Sequence, residues 1–278
     1  MKRFEKFPIM LLAVSAGTAL LSVILRSILT LTSIDVRYGV YSHGTVLPNI
    51  YHIILAVACI ALCVTAVIKA PARDGDYIIP VSDFTVFASC AAAFLLIFEL
   101  FLSLYNIILA NTEPSVFDIL ELCFSVPSIM YFLGLTRSKG KRSLALAVTS
   151  FFPTARCAVC LIRIYFDNTT LMTSPNKVLG ELALLAAMIY FLSEARNQLG
   201  ITSHRFYLAA ASVAPILLFT SAVPNLLFSD SLSIGASDNY MRYAVEAVFA
   251  LFIWARLAAY SKNPAFLPET IAVIENNE

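Results

Sequence analysis

Arg156 and Arg163 stand seven residues apart within LALAVTSFFPTARCAVCLIRIYF, residues 144–166. The stretch is 23 residues long and otherwise apolar, enough to cross a bilayer, which takes about 20. An arginine at membrane depth costs roughly 2.5–3.5 kcal/mol even on the mildest scale. Both guanidinium groups must therefore face something other than lipid. Held there, Arg156 and Arg163 have the chemistry of anion-binding groups. Acids recur in the same kind of setting: Glu99, Asp118, Glu121, Glu181 and Glu246, together with Arg26 and Arg242. Carboxylates in apolar segments suit cation or proton binding, and ionisable residues inside a membrane are functional candidates by default.

Other chemistry is weaker in this sequence. Cys157-Ala-Val-Cys160 has the C-x-x-C spacing of redox sites, but all six cysteines fall in apolar segments, where small packing residues are the simpler reading. His52 stands near a helix start and reads as an interfacial hydrogen-bonding residue. No H-E-x-x-H, G-x-S-x-G or P-loop pattern occurs, so no cofactor and no metal site is expected. Asn168-Thr-Thr matches a glycosylation acceptor, which matters only in a secretory pathway.

The elements that must carry these residues follow from hydropathy. The chain is 59% hydrophobic and 13% charged, with a mean hydropathy of +0.81. Soluble domains run about 45–50% apolar and about 25% charged. The expected fold is an all-α polytopic integral membrane bundle of eight spans: 8–31, 50–68, 84–109, 116–135, 144–166, 178–195, 206–227 and 240–259. Residues 1–260 form one transmembrane domain and 261–278 a polar, disordered cytoplasmic tail. The first run is too long for the core of a signal peptide, about 7–15 residues, and reads as an uncleaved span. Spans four and six close on YFLGLTR (131–137) and YFLSEAR (190–196), a hint of repeated helical hairpins.

At a rise of about 1.5 Å per residue, Arg156 lies roughly 18 Å from the inner boundary, Glu99 roughly 22 Å and Arg26 roughly 27 Å. On the same count Glu121 and Glu246 lie roughly 8–9 Å below the outer boundary and Glu181 roughly 5 Å. Most of the charges thus share the outer half, and spacings of three and four place each set on one side of its helix. Those sides should meet inside the bundle. Pro153, three residues before Arg156, should disturb its span, as Pro127, Pro215 and Pro224 could theirs.

A net charge of +1 gives no broad basic surface for nucleic acid. The expected partners are the lipid bilayer, a small polar or charged solute, and a partner membrane or ATPase subunit. The sequence is read as a small-solute transporter, or the substrate-binding membrane subunit of one, with a charged pocket in the outer half. The alternatives are a non-catalytic sensor or scaffold, and an intramembrane lipid-modifying enzyme using a pair such as Asp118 and Glu121. An enzyme is the less favoured class because no nucleophile or metal set accompanies that pair. Twelve Lys and Arg residues fall in the loops and ends of one side, against Arg37 and Lys177 on the other. That bias puts both termini in the cytoplasm of a cell-membrane protein. A cysteine introduced at Lys141 should therefore react with an impermeant maleimide only after permeabilisation, and one at Glu113 in intact cells.

Overall fold

The structure, a computed structural model, describes residues 7–35, 40–41, 46–70, 79–109, 114–138, 141, 143–167, 171–201, 203–228 and 240–261. The tail 262–278, the Asn168 motif, Arg37, His43, Glu113, Asp230, Asp238 and half of the basic link at 137–142 (residues 139, 140 and 142) lie outside the described residues. So do Lys2, Arg3, Lys6 and Arg73.

Eight spans form, as the hydropathy requires. They are α1 (Phe7–Ser33), α2 (Leu47–Lys69), α3 (Asp83–Ile108), α4 (Val116–Ser138), α5 with α6 (Leu144–Thr149 and Phe152–Phe166), α7 (Pro175–Gln198), α8 (His204–Phe228) and α9 (Tyr240–Tyr260). A two-residue pairing, β1 (Ile34–Asp35) with β2 (Val40–Tyr41), follows α1 in antiparallel register. The chain is a multi-pass membrane protein whose outer surface contacts lipid. Below, the near face is the one at which α1 begins and α9 ends; the far face is opposite.

Local chemistry fixes the helix ends. Ser82 accepts from the Thr85 amide at 3.2 Å and Ser143 from the Leu146 amide at 3.1 Å, capping α3 and α5. Ser115 and Asp118 form a reciprocal capping box at the start of α4, with bonds of 2.9 and 3.2 Å. Gly200 closes α7 with a φ of +83°, a conformation that favours glycine. Pro153 has no amide hydrogen, and its ring would crowd the carbonyl of Thr149, four residues back. Thr149 is the last residue of α5, so span five is two helices rather than one. Pro127, Pro215 and Pro224 lie inside helices that continue through them.

The bundle is organised on α8 and α9, which pack against each other. Helices α1, α7 and α8 on one side and α3, α4 and α6 on the other form a closed succession of neighbours, with α2 outside on α1 and α8. Polar bonds tie the centre together. Trp254 on α9 donates to Ser15 on α1 at 3.1 Å, and Ser15 donates to the Ser212 carbonyl on α8 at 2.8 Å. The lipid side is apolar throughout, with Ile24 and Ile28 on α1, Ile53 and Ile60 on α2, and Phe87 and Phe94 on α3 all exposed. An open apolar groove of about 470 Å³ on α3, lined by Phe98, Phe101 and Tyr105 among others, belongs to this lipid-facing surface.

Midway between the faces the interior is filled by four buried rings: Phe132 of α4, Phe191 of α7, and Phe249 and Phe252 of α9. Phe191 lies 5.0 Å from Phe249, and Phe132 lies 5.1 Å from Phe252 and 5.5 Å from Phe249, ring centre to ring centre. These distances are those of favourable aromatic packing. Phe191→Ala should lower stability by about 3–5 kcal/mol, measured by denaturant titration of the protein in mixed micelles.

Candidate functional site

The membrane charges gather in two layers, one on each side of the aromatic plug. Helix α9 carries both. Arg242, Glu246, Phe249, Arg256 and Tyr260 recur at spacings that keep them on one side of the helix. That side therefore reads, from far to near, charge, ring, charge.

The far layer is built on α3, α4, α6 and α9. Arg156, one turn into α6, donates from Nη2 to Glu99 Oε2 at 2.5 Å and from Nε to Ser125 Oγ at 3.2 Å. Its Nη2 also lies 3.7 Å from Glu121 Oε1. The guanidinium rests over the Phe249 ring, 5.9 Å from its centre, which joins this layer to the plug. Glu121 accepts a further bond from Cys160 Sγ at 2.9 Å and one from Arg163 Nη1 at 3.0 Å. Arg163 also reaches Asp118 Oδ1 at 2.9 Å. Side-chain exposure rises along this row: Arg156 2%, Glu99 14%, Glu121 15%, Asp118 28% and Arg163 42%. The row thus runs from the protein interior outward to the far face.

Arg242 and Glu246 adjoin it on α9. Their closest approach is 3.5 Å, from Nε to Oε1, and neither Glu246 oxygen makes a hydrogen bond to a described residue. Ser221 of α8 lies beside Glu246. Its Oγ and that of Thr220 are likewise buried without a hydrogen bond. Four carboxylates (Glu99, Asp118, Glu121, Glu246) and three guanidinium groups (Arg156, Arg163, Arg242) share the layer. In a low-dielectric interior one surplus negative charge is costly unless a cation or proton joins it.

The near layer was not visible as a site in the sequence. Arg256 donates from Nη2 to Glu194 Oε1 at 2.6 Å, both groups being buried. Tyr131 and Gln198 donate to the same oxygen at 3.3 and 3.2 Å, and Tyr190 donates to Oε2 at 3.5 Å. Arg256 Nη1 reaches the carbonyls of Ile79 and Pro80 ahead of α3, each at 3.4 Å. Tyr207 stacks on Tyr260 at 5.1 Å, and Tyr260 bonds to His204 Nδ1. Tyr131 and Tyr190 come from the matching YF pairs of spans four and six, and their partners Phe132 and Phe191 meet edge to face at 6.2 Å. The repeated letters thus converge on one carboxylate and one plug. The i, i+4 spacing of Tyr190 and Glu194, together with the α9 stripe, was the available signal.

Two sequence candidates stand apart. Glu181 is half-buried on α7 and makes no ion pair or hydrogen bond among the described residues. Arg26, on α1, bonds to Asn176 rather than to an acid of the far layer. The other seven candidates are brought together as described.

Comparison with known proteins returned no match: no family model fits the chain, and neither a curated protein nor a solved structure matches it. Chemistry must therefore be read from the two layers themselves. Removing one partner of a buried ion pair costs about 3–5 kcal/mol, whereas replacing both by apolar groups is often neutral or better. Arg256→Met should accordingly destabilise the protein more than the double variant Glu194→Leu/Arg256→Met, as read by thermal unfolding of both proteins in the same detergent.

Proposed function

We propose that the protein is a small-solute carrier, or the solute-binding membrane subunit of one. The observation that carries this reading is the layering: a charged row whose exposure rises toward the far face, a plug of four rings, and a buried Arg–Glu–Tyr network toward the near face. A carrier needs a site near mid-membrane reachable from one side at a time, with a barrier on either side of it. The far layer supplies the site and the plug with the near layer supplies the barrier. The positive bias of the near-side loops makes that face cytoplasmic, so solute enters from outside the cell.

The broken span supports the same reading. Discontinuous helices recur at carrier sites because a half-helix leaves unpaired backbone groups and a dipole end inside the membrane. Helix α6 begins one turn before Arg156. The surplus carboxylate, with Glu246 lacking a hydrogen bond, favours a solute that brings positive charge: an ammonium cation or a zwitterion. Glu246 and Glu99 take the cationic end, and Arg156 or Arg163 takes the carboxylate of a zwitterion. Release to the near face requires Phe132 and Phe191 to separate from Phe249 and Phe252.

A second reading rests on the dense pairing of Arg156, which meets Glu99, Glu121 and Ser125. Such a group can serve only to lock a scaffold or sensor bundle together. The two readings part on one experiment. Proteoliposomes are assayed for uptake of a panel of radiolabelled amines and amino acids, with wild-type protein, Arg156→Gln and Glu246→Gln. In the carrier reading at least one compound accumulates about tenfold over protein-free liposomes, and both variants abolish this while still inserting and eluting as folded protein. Variants that fail to insert, with no compound accumulated by the wild type, support the scaffold.

A further inference from the structure

The corner where α1 and α2 meet the first turn of α7 holds a charge imbalance of the opposite sign. Arg26 is 2% exposed, so it lies out of contact with water. Its Nη2 donates to Asn176 Oδ1 at 2.7 Å, but Nε and Nη1 make no hydrogen bond. Lys177, the next residue after Asn176, is 6% exposed and, among the described residues, donates to the backbone carbonyls of Asp167 at 2.7 Å and Tyr165 at 3.2 Å. Neither cation meets a carboxylate within 4 Å among the described residues. Asn176 and Lys177 occupy the first turn of α7. The unpaired amides there add a further partial positive charge. The buried Tyr51 hydroxyl of α2 lies beside the Arg26 guanidinium. On β2, burial raises the Tyr41 phenol above its usual value and the Arg26 charge opposes that rise, which places the guanidinium within electrostatic reach of the strand pair.

Two buried cations at a helix N-terminus, with no carboxylate within 4 Å among the described residues, call for a counter-charge. A guanidinium stays protonated under all ordinary conditions. We infer that this corner is a binding site for a phosphate-type oxyanion, held by Arg26, Asn176, Lys177 and the Tyr51 hydroxyl at the N-terminus of α7. Several donors at one helix end suit a group with several oxygens. The site is separate from the far layer and of opposite charge preference. The same chemistry is offered by inorganic phosphate and by the phosphodiester of an anionic lipid in the adjacent leaflet.

The experiment uses the full chain, delipidated in dodecyl maltoside, a detergent without phosphate. Its melting midpoint is followed against inorganic phosphate, short-chain phosphatidylglycerol, or sodium gluconate at matched ionic strength. A saturable rise with phosphate alone identifies a soluble oxyanion; a rise with the lipid alone identifies a headgroup; a rise with both shows a site that takes either. Arg26→Gln removes the response, and Asn176→Ala or Lys177→Gln, which keep the guanidinium, raise the half-saturating concentration at least tenfold if Arg26→Gln does not fold. Broadening of the phosphorus resonance on the wild type reads binding without any variant. The inference is overturned if neither probe moves the wild type beyond gluconate, or if Arg26→Gln responds like the wild type.

Discussion

The structure depends on the cost of keeping guanidinium groups away from water. A buried arginine of the bundle must find polar partners, since the acyl chains around the helices offer none. Arg156 and Arg256 do so with carboxylates at 2.5 and 2.6 Å, and each draws together helices distant in sequence. Arg156 joins α6 to α3 and α4; Arg256 joins α9 to α7 and to the chain ahead of α3. Helices in lipid gain little from burying apolar surface against one another, because acyl chains are equally apolar. Ion pairs, close ring packing and bonds such as that from Trp254 to Ser15 therefore specify which helix lies beside which.

The same constraint arranges the interior in depth. Charges cluster where they can be paired, and the level between the clusters is left to Phe132, Phe191, Phe249 and Phe252. A ring plug separates a polar layer whose exposure rises toward the far face from a buried one toward the near face. The far layer is the looser of the two, graded in exposure and incompletely bonded at Glu246. The near layer is dry, with Glu194 accepting from an arginine, two tyrosines and a glutamine. Partly satisfied polar groups are where binding and movement are expected, and fully satisfied ones are where a structure is held rigid.

Much of this was legible in the sequence. The eight spans emerged with boundaries within a few residues, because run length against bilayer thickness is a strong signal. On α1, Ser15, Ser22, Arg26 and Thr30 stand at intervals of seven and four, on one side of the helix, and every one is buried. Pro153 divides span five where its missing amide and its ring demand. The pairing of Arg156 and Arg163 with Glu99, Glu121 and Asp118 follows from opposite charges at shared depth. Glu194 was less visible: two residues from Arg196 at a span end, it resembles an interfacial acid. Its partner lies 62 residues away, and no local pattern encodes that distance.

The sequence by itself determined that this chain crosses a membrane eight times and that its ionised groups must turn inward, because hydrocarbon penalises both exposed backbone and exposed charge whatever the packing. Only the tertiary structure decided which acid meets which base, because charge pairing acts across space between helices whose order in the bundle no run of residues records. It placed Arg26 beside Asn176 instead of a carboxylate, left Glu181 alone, and set two layers on one side of α9 with a plug of rings between them.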